Sequence, residues 1–179
     1  NEFYPGVTSP MLRGGLYRNG YVYTVQQSRK GLINNVCRWL FYSIETSEPL
    51  CKFGDGTTKV QGVLDGGPDT MYIYTNQGIY KYTFSTPTVA PVLLTITGMV
   101  DSNTTDACID PITGYMWTGH TTGLSRVDLN TLTATQYIRG TGQALDGGLT
   151  TYEANVIPGQ LDAYNGRVLI GCRGSYVSK

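Results

Sequence analysis

Apolar and polar residues trade faces at period two in Ile79-Tyr80-Lys81-Tyr82 and Leu124-Ser125-Arg126-Val127. That alternation predicts β-strands with one buried side. Tyr72-Ile73-Tyr74 and Val168-Leu169-Ile170 are apolar on both faces and predict strands inside a sheet covered on both sides. In each case the apolar strand runs into a tight turn carrying glycine, then into a second strand. The pattern is clear around Gly78, Gly123 and Gly174, and looser where Tyr21–Val25 is followed, after a longer loop, by Gly31-Leu32-Ile33. Glycine at such a turn supplies a positive φ without steric cost.

Each repeat fills out to four strands. The first would comprise 12–17, 21–25, 37–44 and 50–53, and the second 60–64, 71–75, 79–84 and 92–98. The third would comprise 106–109, 115–120, 124–129 and 134–139. The fourth offers 155–157 or 161–163, then 167–170 and 175–177, and stops one outer strand short. Asn19-Gly20, Asp65–Asp69, Asp110–Gly114 and Asn165-Gly166 precede the second strands and are turn sequences, because Asn, Asp and Gly tolerate left-handed backbone angles. Gly31–Ile44 carries a competing signal: Leu32, Val36, Leu40 and Ile44 are four apart, a helical stripe, although 38–44 is rich in strand formers.

The turn glycines are spaced 47, 45 and 51 residues apart, a period that in an all-strand chain marks propeller blades. The expected fold is all-β, a single β-propeller-like domain over 1–179 with antiparallel four-stranded blades near 10–55, 58–99, 103–140 and 150–179. The run Asp110-Pro-Ile-Thr-Gly114-Tyr-Met-Trp-Thr-Gly-His-Thr-Thr-Gly123-Leu-Ser-Arg-Val-Asp-Leu-Asn-Thr131 resembles a propeller repeat of the two-component-regulator kind. The likeness covers this run well and the second and fourth repeats loosely. The first repeat lacks the leading Asp and the Trp. The resemblance implies a fold and is almost silent on function.

Three architectures fit four repeats. The chain is a piece of a larger propeller, or a closed four-bladed ring completed by its own residues 1–8, or an open ring whose N-terminal strand (Glu2, Phe3, Tyr4, Val7) is donated to a neighbouring copy. It opens at Asn1 with no charged-then-apolar leader, which reads as a removed leader or an excised piece.

Composition sharpens this picture. Of 179 residues, 23 are Gly, 14 Tyr and 24 Thr, while charged residues make up only 15%. Lys+Arg and Asp+Glu each total 13, so no basic face is expected for nucleic acid. No apolar run approaches a membrane-spanning length. A low-charge surface is poorly protected against self-association, which marks the incomplete fourth blade as a contact for homo-oligomers or polymers.

Candidate chemistry is sparse. Cys37 and Cys51 flank the outer strands of the first repeat and are a candidate disulfide. The alternative for all four cysteines is a set of buried, reduced thiols, and no C-x-x-C spacing suggests zinc. His120 is the sole histidine, expected at an exposed loop, which excludes a histidine-based triad or a multi-histidine metal site unless a partner supplies the rest. Asp65, Asp106, Asp110, Asp146 and Glu153 could supply paired carboxylates or, in the Asp-Gly-Gly loops, calcium ligands, but such residues also simply make turns. Trp117, His120, Asp65, Asp146 and Arg173 are the binding candidates. Tyr72, Tyr74, Tyr80 and Tyr82 with Tyr115 and Trp117 suit sugar or protein contact, but most lie at core-compatible positions that favour packing between blades. Asn103-Thr104-Thr105 is a glycosylation sequon.

No metal or cofactor is expected. The leading expectation is a non-enzymatic, extracellular or particle-surface module acting in binding or self-assembly, as in virion, tail or filament components. Its partner would be protein, a second copy or carbohydrate. The alternatives are a propeller enzyme of glycosidase or lactonase type with a carboxylate-lined pocket, and a sensor input domain of a longer chain.

Overall fold

The computed structural model describes residues 11–27, 34–40, 43–53, 57–138 and 157–173. The expected closing or donated strand at Glu2, Phe3, Tyr4 and Val7 and the candidate Asp146 lie outside the described residues, as do the turn at Gly31 and the strand at 175–177. The chain divides into two compact units, Asn1–Leu93 and Leu94–Lys179.

The first unit holds two four-stranded antiparallel sheets. β1 (Met11–Arg18), β2 (Tyr21–Gln27), β3 (Asn34–Leu40) and β4 (Ser43–Phe53) form one, in sequential order. β5 (Val60–Asp65), β6 (Thr70–Thr75), β7 (Gly78–Thr83) and β8 (Val92–Leu93) form the other, also sequential. Asn19 and Gly20, at φ 50° and 83°, turn β1 into β2. Positive φ at both central positions is what the tight turn matching strand twist requires. Alternate residues of these strands converge on one core of Leu16, Tyr23, Val25, Val36, Val60, Val63, Met71, Ile73 and Tyr82. β6 occupies the interior position that its two-faced apolar pattern predicts.

The described residues of the segment with the helical stripe, 34–40 and 43–44, are sheet. β3 lies between β2 and β4, pairing Val36 with Val25 on one side and Cys51 on the other. Asn34 and Asn35 belong to this strand, paired with Gln27 and Gln26, so β3 starts and ends earlier than the expected 37–44. β4 tolerates Pro49 because it is the edge of its sheet.

The second unit contains β9 (Asp106–Ile109), β10 (Met116–His120), β11 (Gly123–Asp128) and β12 (Thr133–Ile138) as a sequential antiparallel sheet, and β13 (Ile157–Tyr164) with β14 (Arg167–Arg173) as a two-stranded one. All five residues of β10 are buried. Gly123 serves a purpose other than a turn: a Cβ there would lie 2.3 Å from the Tyr137 carbonyl oxygen, so glycine permits β11 and β12 to approach. β14 departs from its two-faced pattern, with Leu169 75% exposed. Residues 94–98, expected to extend β8, leave that strand after Leu93. Thr97 instead forms a parallel bridge to Thr133, donating its N–H to Leu132 and accepting from Ala134. No helix among the described residues is long and apolar enough to cross a membrane.

Candidate functional site

The most concentrated polar chemistry lies in the second unit. Thr118 and His120 are two apart on β10 and so share a face, and Ser125 is the cross-strand partner of Thr118 on β11. All three are fully buried. His120 Nε2 lies 2.8 Å from Thr118 Oγ1 and 3.0 Å from Ser125 Oγ, while Nδ1 lies 3.2 Å from the Asn103 carbonyl and 3.4 Å from Asp101 Oδ1. Only acceptors face Nδ1, so it carries the proton in a neutral ring. Nε2 then accepts from a hydroxyl. Ser125 Oγ in turn accepts the Val100 N–H at 3.0 Å.

Asp101, His120 and Ser125 thus stand in the order acid, base, hydroxyl, so a lone histidine does not by itself preclude a triad arrangement. His120 itself sits in the interior rather than on an exposed loop. Ser125 has no exposed surface, and no substrate carbonyl can reach its oxygen. The group ties the β10–β11 hairpin to the strand-entry loop at 101–105. In the first unit Asn76 does the same work, donating from Nδ2 to the Thr57 carbonyl and accepting the Lys59 N–H.

Burial lowers the His120 pKa below its usual value of about 6.5, an effect that Asp101 and the Asn103 carbonyl partly oppose. A depressed folded-state value means the folded chain binds fewer protons. The stability contributed is therefore complete above about pH 6.5 and is lost as pH falls through the folded value. Urea denaturation across this range should show that loss in the native chain. His120→Asn, which keeps a donor without the titration, should flatten it. An unchanged slope in the variant would remove His120 from the explanation.

The carboxylates are committed to backbone amides. Asp110, with no exposed surface, accepts from Ile112 at 2.9 Å, Thr113 at 3.4 Å, Asn165 at 3.0 Å and Gly166 at 2.6 Å. It joins the β9–β10 turn to the β13–β14 turn. Burial pushes its pKa up, but the N–H groups of Gly166, Ile112 and Thr113 outweigh this and hold it well below the usual carboxylate range. Such a group is an anion at working pH and a poor general acid. Asp106 accepts the Leu161 N–H at 2.6 Å. Glu153 and Asp146 lie outside the described residues.

Asp65, in the first unit, is 2.6 Å from Arg18 Nη2 and accepts the Gly67 N–H at 2.9 Å. Arg18 also donates to the Pro68 carbonyl at 2.8 Å and lies 4.6 Å over the Phe84 ring. Its side chain is 12% exposed, that of Asp65 55%. Arg18→Ala should cost about 1–3 kcal/mol by chemical denaturation. Arg18→Lys should recover only part of this, because a point charge cannot fork to two acceptors. Full recovery by lysine would leave charge alone as the cause.

Trp117 is 4% exposed and packs with Cys108, Ala163, Tyr137, Leu161 and Val168. Its Nε1–H has no hydrogen-bond partner. Tyr74 and Tyr82 are buried, and Arg126 covers Tyr115 at 4.9 Å. Cys108 is a free, buried thiol, pushed up to about 12 by burial and by Asp106, Asp162 and Asp110, so it behaves as a small hydrophobe. The backbone pairs Cys51 with Val36 and Cys37 with Pro49, and the side chains of Cys37, Cys51 and Arg173 lie outside the described residues. No cluster of three metal-ligating side chains occurs among the described residues. Of the expected candidates, Asp65 lies in the first unit and Trp117 and His120 in the second. The polar groups that matter to the architecture, Arg18, Asn76, Asp101, Thr118 and Ser125, were not legible as such from sequence. The one available signal was the Thr-Thr pair preceding β5 and again preceding β9, at 57–58 and 104–105, with Thr58 buried in the first pair and Thr104 in the second.

Sequential four-stranded antiparallel sheets, without a helix among the described residues, place the chain in the all-β class. No family model and no curated protein matches it. Among solved structures it is similar to the extracellular domain of a candidate one-component system from B. thetaiotaomicron, at 14% identity and a TM-score of 0.65. The match covers 97% of this chain and 22% of that one, so the chain spans about a fifth of its neighbour. At this identity the likeness is one of fold.

Proposed function

We propose that the chain forms consecutive blades of a β-propeller within the extracellular input domain of a sensor protein, and that it recognises a protein or carbohydrate ligand without turning it over. The observation that carries this reading is the fold likeness to an extracellular sensor domain over 97% of the chain. The near-constant spacing of Gly31, Gly78, Gly123 and Gly174 supports the propeller arrangement. The commitment of Asp65, Asp106, Asp110 and His120 to internal partners supports binding over catalysis. A virion or filament role, the other expectation from composition, gains no such support.

The test uses cells carrying the complete reading frame. The loop at 85–90 is exposed and suits protease attack. Protease added outside intact cells should cut there, and protection until lysis would place the chain on the other side of the membrane.

A further inference from the structure

The sequence contains two Asn-Gly pairs, Asn19-Gly20 and Asn165-Gly166. Each joins the first two strands of a sheet, and the backbone angles are nearly the same: φ 50° and 83° in one, 50° and 77° in the other. Both asparagines are exposed. The turns differ in one respect. The Gly166 N–H donates to Asp110 Oδ2 at 2.6 Å and the Asn165 N–H to Asp110 Oδ1 at 3.0 Å. No side-chain acceptor among the described residues holds the Gly20 N–H, and the space around Gly20 is open.

We propose that Asn19 is a site of spontaneous conversion to aspartate and isoaspartate, and that the Asp110 carboxylate shields Asn165 from the same reaction. The Gly20 N–H loses its proton to hydroxide, and the nitrogen attacks the Asn19 side-chain carbonyl carbon. A five-membered imide forms and ammonia leaves. Water then opens the imide at either carbonyl, giving aspartate or the isomer whose backbone runs through the side chain. No oxidation or reduction occurs, and water is the sole co-reactant.

Gly166 meets two obstacles that Gly20 does not. Its proton is bound to a carboxylate, and deprotonation would set a nitrogen anion against that carboxylate. The same bond anchors the nitrogen away from the asparagine side chain. Conversion at position 19 also has a structural consequence. The isomer adds a methylene to a two-residue turn beside Arg18, whose guanidinium holds Asp65, the Pro68 carbonyl and the Phe84 ring.

Ageing the folded chain in mildly alkaline buffer and mapping its peptides by mass spectrometry tests the proposal. Asn19 should convert faster than Asn165 by roughly tenfold or more. The same comparison in urea should bring the two rates close together, because the flanking residues are similar and the shield is gone. In Asp110→Asn the Asn165 rate should rise while the Asn19 rate holds. Should that variant fail to fold, the native-against-urea comparison still decides. Equal rates in native buffer, no conversion at Asn19, or a preference that survives in urea would each overturn the proposal.

Discussion

Asp110→Ala should lower the melting temperature by roughly 10–20 °C, the largest loss expected from a polar substitution among the described residues. The carboxylate receives four backbone N–H groups from two turns. Alanine strands those donors around a buried site, and an unpaired buried donor costs more than its bond contributes. Asp110→Asn keeps the volume and one acceptor but points N–H groups at N–H groups, so it should fall between alanine and the native chain. The same geometry fixes a pH response. A carboxylate held below its unfolded value of about 3.9 contributes stability that is complete above that pH and is lost as pH falls through the folded value. Melts in acid should therefore show the native chain converging on the Asp110→Ala variant. Parallel curves down to the lowest accessible pH would contradict the assignment.

Trp117→Ala should cost about 3–5 kcal/mol, because the indole fills the space between Cys108, Tyr137, Leu161, Ala163 and Val168. Trp117→Phe is the sharper comparison. Phenylalanine loses volume but also removes the buried N–H that has no partner, so the two effects offset and the net change should stay within about 1.5 kcal/mol. Urea denaturation followed by circular dichroism measures both. A phenylalanine variant as damaged as the alanine one would mean that the N–H meets a partner.

The strands were legible where one rule decided them. β9 lies at the expected Asp106–Ile109, and β10, β11 and β12 lie within a residue of their expected bounds at either end, because Asp-Pro and Gly punctuation brackets clear alternation. The outer strands of the first sheet were less legible. Asn34 and Asn35 resemble turn residues, yet their backbones pair with Gln27 and Gln26 at the end of the ladder. Leu94–Gly98 shows a second reason. A short Thr-rich stretch reads as strand wherever an edge is free, and the pattern does not say which edge it will join; Thr97 meets Thr133.

The polar site was the least legible part. Sequence spacing placed Asp110 and His120 among loop residues open to ligands, whereas folding turns both inward. An aspartate before a turn and a histidine at a strand end look the same whether they face solvent or backbone N–H groups. The decision rests on Asn165-Gly166 and on Ser125, at sequence separations that periodicity does not reach. Trp117 is a partial exception, since an aromatic ring at an inner-strand position already suits packing between blades.

Sedimentation velocity of the protein expressed from the complete reading frame, over a wide concentration range, separates a sensor input module from a self-assembling component most directly. The sensor reading predicts a monomer, or a fixed small oligomer, at every concentration. Open-ended growth with concentration would contradict it and restore a filament or particle role.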